Sequence, residues 1–209
     1  MSRSIEYYFS LHSPWTYLGH QHFLAVAGRY GCAVTYRPVP LRAVFDETGG
    51  LPLPKRHPVR QRYRLVELQR WRERRGVPLI LQPTNFPFDS SLADRFVIAI
   101  ADSGGDPGGF MGGVMSALWA RDQNLAAPEA IMALARSVGL DGEALHRAAE
   151  AADIRQRYDE TIALAVQTGV FGAPSYVLDG EVFWGQDRLE LLESALASGR
   201  APYRPDTAA

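Results

Sequence analysis

Ser13 and Pro14 stand where an alternating apolar stretch gives way to a helical one. Serine at a helix N-cap and proline just inside it suit a helix start, because the hydroxyl accepts a free backbone N–H and proline has none to lose. A helix start also carries partial positive charge, so a hydroxyl there can help hold an anion. The turn Ser13-Pro14-Trp15-Thr16 contains no sulfur, which excludes thiol–disulfide exchange by this turn. A thiolate supplied by a ligand would fit it. Each unit by which such a thiol's pKa is depressed corresponds to roughly 1.4 kcal/mol of preference for the thiolate. Read alone, Ser13 is more simply a plain helix cap. The second candidate is Gly172-Ala173-Pro174-Ser175, which by itself is only an X-Pro bond just before a strand. His12 adjoins Ser13, but neighbouring side chains rarely meet for proton transfer. His20 and His22 are two apart on one helix and face apart, and no metal site is expected.

The elements that position these residues follow from periodicity. Ser4 to Phe9 alternates and predicts a strand; a helix runs from Ser13 to about Tyr30 and stops at Gly31; Ala33 to Val39 alternates again. Strand, helix and strand make a parallel, right-handed βαβ unit. From Leu41 to Thr168 the pattern is mainly helical, with helices expected at 128–138, 141–151 and 159–168. Gly104 to Gly109 is a loop. Ser175–Leu178 and Glu181–Trp184 read as strands joined by Asp179-Gly180, a hairpin turn. A last helix is expected from Asp187, as its N-cap, to Ser198. The fold class is thus α/β, a βαβ…ββα core carrying an inserted all-helical domain. Residues 1–40 and 169–209 form the core domain and 41–168 the insertion.

The chain has 209 residues, 22% of them charged, with a formal net charge of −1. Nine Lys/Arg against two Asp/Glu fall between Lys55 and Arg75. This reads as a solvated helix face, with attraction of a small anionic substrate as an alternative; no nucleic-acid partner is expected. There is no long apolar run and no leader-like start, so no membrane role is expected. The single cysteine, Cys32, reads as a small core residue and fits a reducing, cytoplasmic setting. The end from Pro205 reads as a loose tail.

Several segments together carry a family resemblance. They are Tyr8-Phe-Ser-Leu-His-Ser-Pro-Trp-Thr-Tyr-Leu18, the spaced set Arg60, Tyr63 and Glu67-Leu-Gln-Arg-Trp71, then Phe86-Pro87, Phe171-Gly-Ala-Pro-Ser175 and Phe183-Trp-Gly-Gln-Asp-Arg-Leu189. In this order the chain resembles the 2-hydroxychromene-2-carboxylate isomerases and the related kappa-class glutathione transferases, which have a thioredoxin-like, DsbA-like fold. The resemblance implies a glutathione-dependent isomerase of aromatic catabolism, with glutathione as cofactor and a small aromatic carboxylate as substrate. Ser13 would activate the glutathione thiol. Ala173, with Pro174, would pair with the cysteinyl part. Trp184, Gly185, Gln186 and Asp187 would hold the γ-glutamyl end, and Arg60 would replace a lysine near glutathione. Asn85 and Phe86 would line the substrate site. A homodimer is implied, and a glutathione-consuming transferase or peroxidase is the alternative. A non-catalytic module that binds peptides or thiols is a further alternative. The chain departs from the family at Gly50 (often asparagine), Glu67 (aspartate) and Ala173 (valine), which bears on the second substrate.

Overall fold

The computed structural model describes residues 3–205, so most of the expected C-terminal tail, residues 206–209, lies outside the described residues. The first strand, β1 (Ser4–Phe9), leads through the Ser13 turn into α1 (Pro14–Arg29) and then β2 (Ala33–Pro38). β1 and β2 pair in parallel, with Ile5 opposite Val34 and Tyr7 opposite Tyr36. Helices α2 (Leu41–Thr48), α3 (Pro58–Arg75), α4 (Ser91–Asp102), α5 (Gly108–Trp119), α6 (Pro128–Ser137), α7 (Gly142–Ala149) and α8 (Ala152–Thr168) follow. The chain then returns to the sheet as β3 (Ser175–Leu178) and β4 (Glu181–Trp184) and ends in α9 (Leu189–Ser198).

The sheet order is β2-β1-β3-β4, with β3 antiparallel to both neighbours. β3 and β4 match their expected limits because the hairpin is locally encoded. Asp179 and Gly180 both take positive φ, 51° and 80°, as the tight turn between right-twisted strands requires.

One continuous apolar core joins the sheet to the helices that intervene between β2 and β3. Tyr7, Phe9 and Tyr176 from the strands share it with Phe23 and Leu18 of α1 and with Phe96, Phe110 and Trp119 of α4 and α5. α8 is longer than expected, starting at Ala152 rather than Asp159. Its buried positions, Ile154, Thr161 and Ala165, are sparse, and the charged residues between them hide the periodicity. Cys32 is only partly buried; its Sγ lies 3.8 Å from the Tyr30 carbonyl, at the rim of this core rather than within it.

A buried acid anchors α4 to α8. Asp94 is fully buried and accepts hydrogen bonds from Ser90 Oγ (2.8 Å) and Tyr158 Oη (3.1 Å), while its Oδ1 has no partner. Burial pushes its carboxyl pKa up to about 7. The folded protein therefore keeps a proton that the unfolded chain releases near pH ~3.9. Stability from this group is full at low pH and declines as pH rises towards about 7, by a total on the order of 4 kcal/mol. Asp94→Asn removes that decline. Urea unfolding at about pH 5 and about pH 8 is expected to favour the variant increasingly at the higher pH. A gap independent of pH would count against the assignment.

Candidate active site at the start of the first helix

Ser13 is the N-cap of α1. Its backbone is extended (φ −83°, ψ 124°) and its Oγ accepts the Thr16 N–H at 3.3 Å. Its own N–H is held by the Ser10 carbonyl at 3.0 Å, and its carbonyl receives the Tyr17 N–H. The residue is buried, and its hydroxyl donates across the fold to the Ala173 carbonyl at 3.5 Å. Both side-chain contacts lie at the long end of hydrogen-bonding distance. The hydroxyl thus has capacity for a stronger acceptor, such as an anionic sulfur.

The facing wall is Gly172-Ala173-Pro174, with a cis peptide before Pro174. Among the described residues the Ala173 N–H has no acceptor. The segment is fixed on both sides: Ser175 Oγ donates to the Gly172 carbonyl at 2.7 Å, and the Gly185 N–H donates to the Pro174 carbonyl at 2.8 Å. A Cβ on Gly172 would come within 2.5 Å of Trp184 Nε1, so glycine lets the indole lie against this wall. Trp184 is half exposed and pairs with the exposed ring of Phe171 at 4.7 Å.

The segment after β4 is where the structure corrects the sequence reading. Residues Gln186–Arg188 form a single 3-10 turn, α9 begins at Leu189, and Arg188 rather than Asp187 takes the N-cap position. Two forces set this. Gly185 adopts φ 108°, a conformation that side chains disfavour. Arg75, from the end of α3, grips the next residue through two hydrogen bonds of 2.9 Å, Nε to Gln186 Oε1 and a terminal nitrogen to the Gln186 carbonyl. Asp187 is left half-buried, paired with Arg188 at 2.6 Å. Gln186 is buried against α1, where a Cβ on Gly19 would fall 2.6 Å from Gln186 Cβ. Arg75 was visible in the sequence only as one more cation in the basic stretch; its partner is 111 positions away.

The other expected residues are more dispersed. Phe86, beside a cis peptide to Pro87, packs on Trp119 at 5.0 Å and meets the edge of His12 at 6.3 Å. Asn85 spends its amide on Asp122, donating to its carbonyl at 2.6 Å and to Oδ1 at 3.2 Å. It thus positions the loop. Arg60 is exposed on the first turn of α3, and its side chain makes no hydrogen bond or ion pair among the described residues. At Gly50 the Phe45 ring occupies the space a side chain would need, which accounts for the absence of an asparagine there. The basic stretch is largely engaged: Arg70 pairs with Glu67, Arg74 with Glu190, and Arg72 donates to the Leu79 carbonyl. A cavity of about 630 Å³ lies further along α1, lined by Leu18, Gln21, His22, Arg74, Arg75 and Val77. Arg74 there pairs with Glu190, and Arg75 is held by Gln186. Among the described residues no helix is long and apolar enough to cross a membrane.

Comparison with known proteins shows the family of the chain. The DsbA-like thioredoxin domain family matches residues 4–197. The chain is 31% identical to a 2-hydroxychromene-2-carboxylate isomerase of Sphingobium xenophagum over 203 residues, covering 94% of this chain and 99% of that one. It is 24% identical to human glutathione S-transferase kappa 1, covering 94% and 92%. A solved 2-hydroxychromene-2-carboxylate isomerase superposes with a TM-score of 0.80 at 28% identity, covering 93% of this chain and 95% of that one. The buried serine at the helix start and the cis-proline wall facing it therefore sit in a member of the DsbA-like thioredoxin family, of its 2-hydroxychromene-2-carboxylate isomerase branch.

Proposed function

We propose that the protein is a glutathione-dependent isomerase acting on a conjugated aromatic acid such as 2-hydroxychromene-2-carboxylate. The observation that carries this reading is the buried Ser13 hydroxyl at the start of α1, loosely held and facing Ala173-cis-Pro174. Glutathione would add its cysteinyl main chain to the free N–H of Ala173 and to its carbonyl, now held only by the long contact from Ser13, in the manner of an extra strand. Its sulfur would then meet the Ser13 hydroxyl and the helix N-terminus, both of which favour the thiolate. The γ-glutamyl ammonium would lie by Asp187, on the segment that Trp184, Gly185 and Gln186 shape, with Pro174 fixing the wall and Arg60 near the glutathione. The thiolate adds reversibly to the substrate's conjugated bond, the adduct rotates, and elimination returns glutathione unchanged. Phe86 and the loop held by Asn85 border the substrate. The same reading places the protein in the cytoplasm, where glutathione is abundant and reduced, and makes it a homodimer.

Titration with glutathione at neutral pH, followed by thiolate absorbance in the ultraviolet, tests the site. A saturable thiolate signal is expected. Its absence would mean that Ser13 is a helix cap only. A kappa-like transferase is the second reading, favoured by the human relative. It would release a stable conjugate and consume free thiol, whereas the isomerase leaves the thiol concentration unchanged.

A further inference from the structure

Residues 12 and 13 are consecutive, yet the turn sends their side chains to opposite walls. Ser13 Oγ faces Ala173. The His12 ring lies against Phe86, which is backed by Trp119. His12 and Ser13 share no hydrogen bond, so His12 does not act as a base on the Ser13 hydroxyl. His12 Nδ1 is buried without a partner, and Nε2 has none among the described residues either. Trp119, which packs on Phe86 at 5.0 Å, also carries a buried, unpaired Nε1. Buried polar groups are normally paired, and an exception calls for an explanation. Here two of them belong to rings that contact Phe86, which borders the proposed substrate site.

We propose that His12 contacts the second substrate, hydrogen-bonding an oxygen of the aromatic acid and carrying the proton that ring opening and closure require. This rests on the isomerase reading of the Ser13 site. In a 2-hydroxychromene-2-carboxylate, C2 bears both the hydroxyl and the ring oxygen. On opening, the bond from C2 to the ring oxygen breaks and its electron pair goes to that oxygen. The hydroxyl oxygen forms the new C=O and releases its proton to the imidazole, which delivers a proton to the departing ring oxygen. The imidazole ends as it began, and no oxidant or reductant is needed. Burial holds His12 below its ordinary pKa, opposed only in part by the negative charge of the Asp89 carboxylate. The imidazole is therefore neutral and able to accept a proton at neutral pH.

His12→Leu and His12→Gln test this, each compared with wild type in the glutathione titration and in isomerisation of 2-hydroxychromene-2-carboxylate over a range of pH. Both variants are expected to bind glutathione with wild-type affinity and thiolate signal, which also reports that the site is folded. In His12→Leu, kcat is expected to fall by about 100-fold. In His12→Gln, the part of the acid-side fall in kcat that does not follow the thiolate signal measured at the same pH, present in wild type, is expected to disappear. A wild type that binds and isomerises, beside variants within about two-fold of it that keep that part of the acid limb, overturns the proposal alone. A wild type that binds no glutathione overturns the reading of the site, and the proposal with it.

Discussion

Ser13→Ala is expected to lose about 10- to 100-fold in kcat and to abolish the glutathione thiolate signal, while folding normally. The magnitude follows from what the hydroxyl supplies. A hydrogen bond to a charged acceptor contributes roughly 1.5–3 kcal/mol, and each ~1.4 kcal/mol is tenfold in rate. The remaining helix N-terminus keeps part of the field, so some activity survives. The structural cost is separate and smaller. Ser13 caps α1 through the Thr16 N–H, and loss of such a cap costs ~1 kcal/mol. For a chain of this size that lowers the melting temperature by about 2–4 °C. Kinetics and a thermal melt on one sample therefore separate the two roles. Full activity with a lowered melting temperature would leave Ser13 a cap and nothing more.

Gly185→Ala is expected to weaken glutathione binding by at least about 10-fold and to lower stability by a few kcal/mol. Gly185 combines three demands. Its φ of 108° with ψ 147° is a conformation essentially reserved for glycine. A Cβ there would collide with the Asp187 carboxylate. Its N–H fixes the Pro174 carbonyl at 2.8 Å, so relieving the strain by moving this residue loosens the cis-proline wall as well. The change thus reaches both the proposed γ-glutamyl end and the proposed cysteinyl end without touching Ser13. Calorimetric titration with glutathione, alongside denaturant unfolding, measures both effects. Wild-type affinity in a stably folded Gly185→Ala variant would show that this segment takes no part in binding.

The site's two halves differ in how far sequence could show them. Ser13 and Pro14 announce a helix start because capping is a local matter, settled by residues within one turn. The Asp179-Gly180 turn is equally local, and both strands beside it lie where alternation places them. The start of α9 lies beyond its expected place for the opposite reason. Asp187 has a good N-cap side chain, but the grip of Arg75 on Gln186 and the backbone of Gly185 hold residues 186–188 in a separate turn. Asn85 is another instance: its residue type invites a ligand role, and only the fold brings Asp122 to take up its amide.

By itself, then, the sequence determined the order of elements, the helix start at Ser13, the hairpin and the absence of thiol chemistry in the turn. All of these depend on short-range preference or on which atoms are present. Tertiary structure alone decided that Ser13 faces Ala173 across 160 positions, that Arg75 secures the segment before α9, and that His12 turns away from Ser13 towards Phe86. Those arrangements arise when the sheet pairs β1 with β3 and one shared core fixes the helices against it. No local pattern encodes them, because each partner's chemistry is ordinary until packing brings the two together.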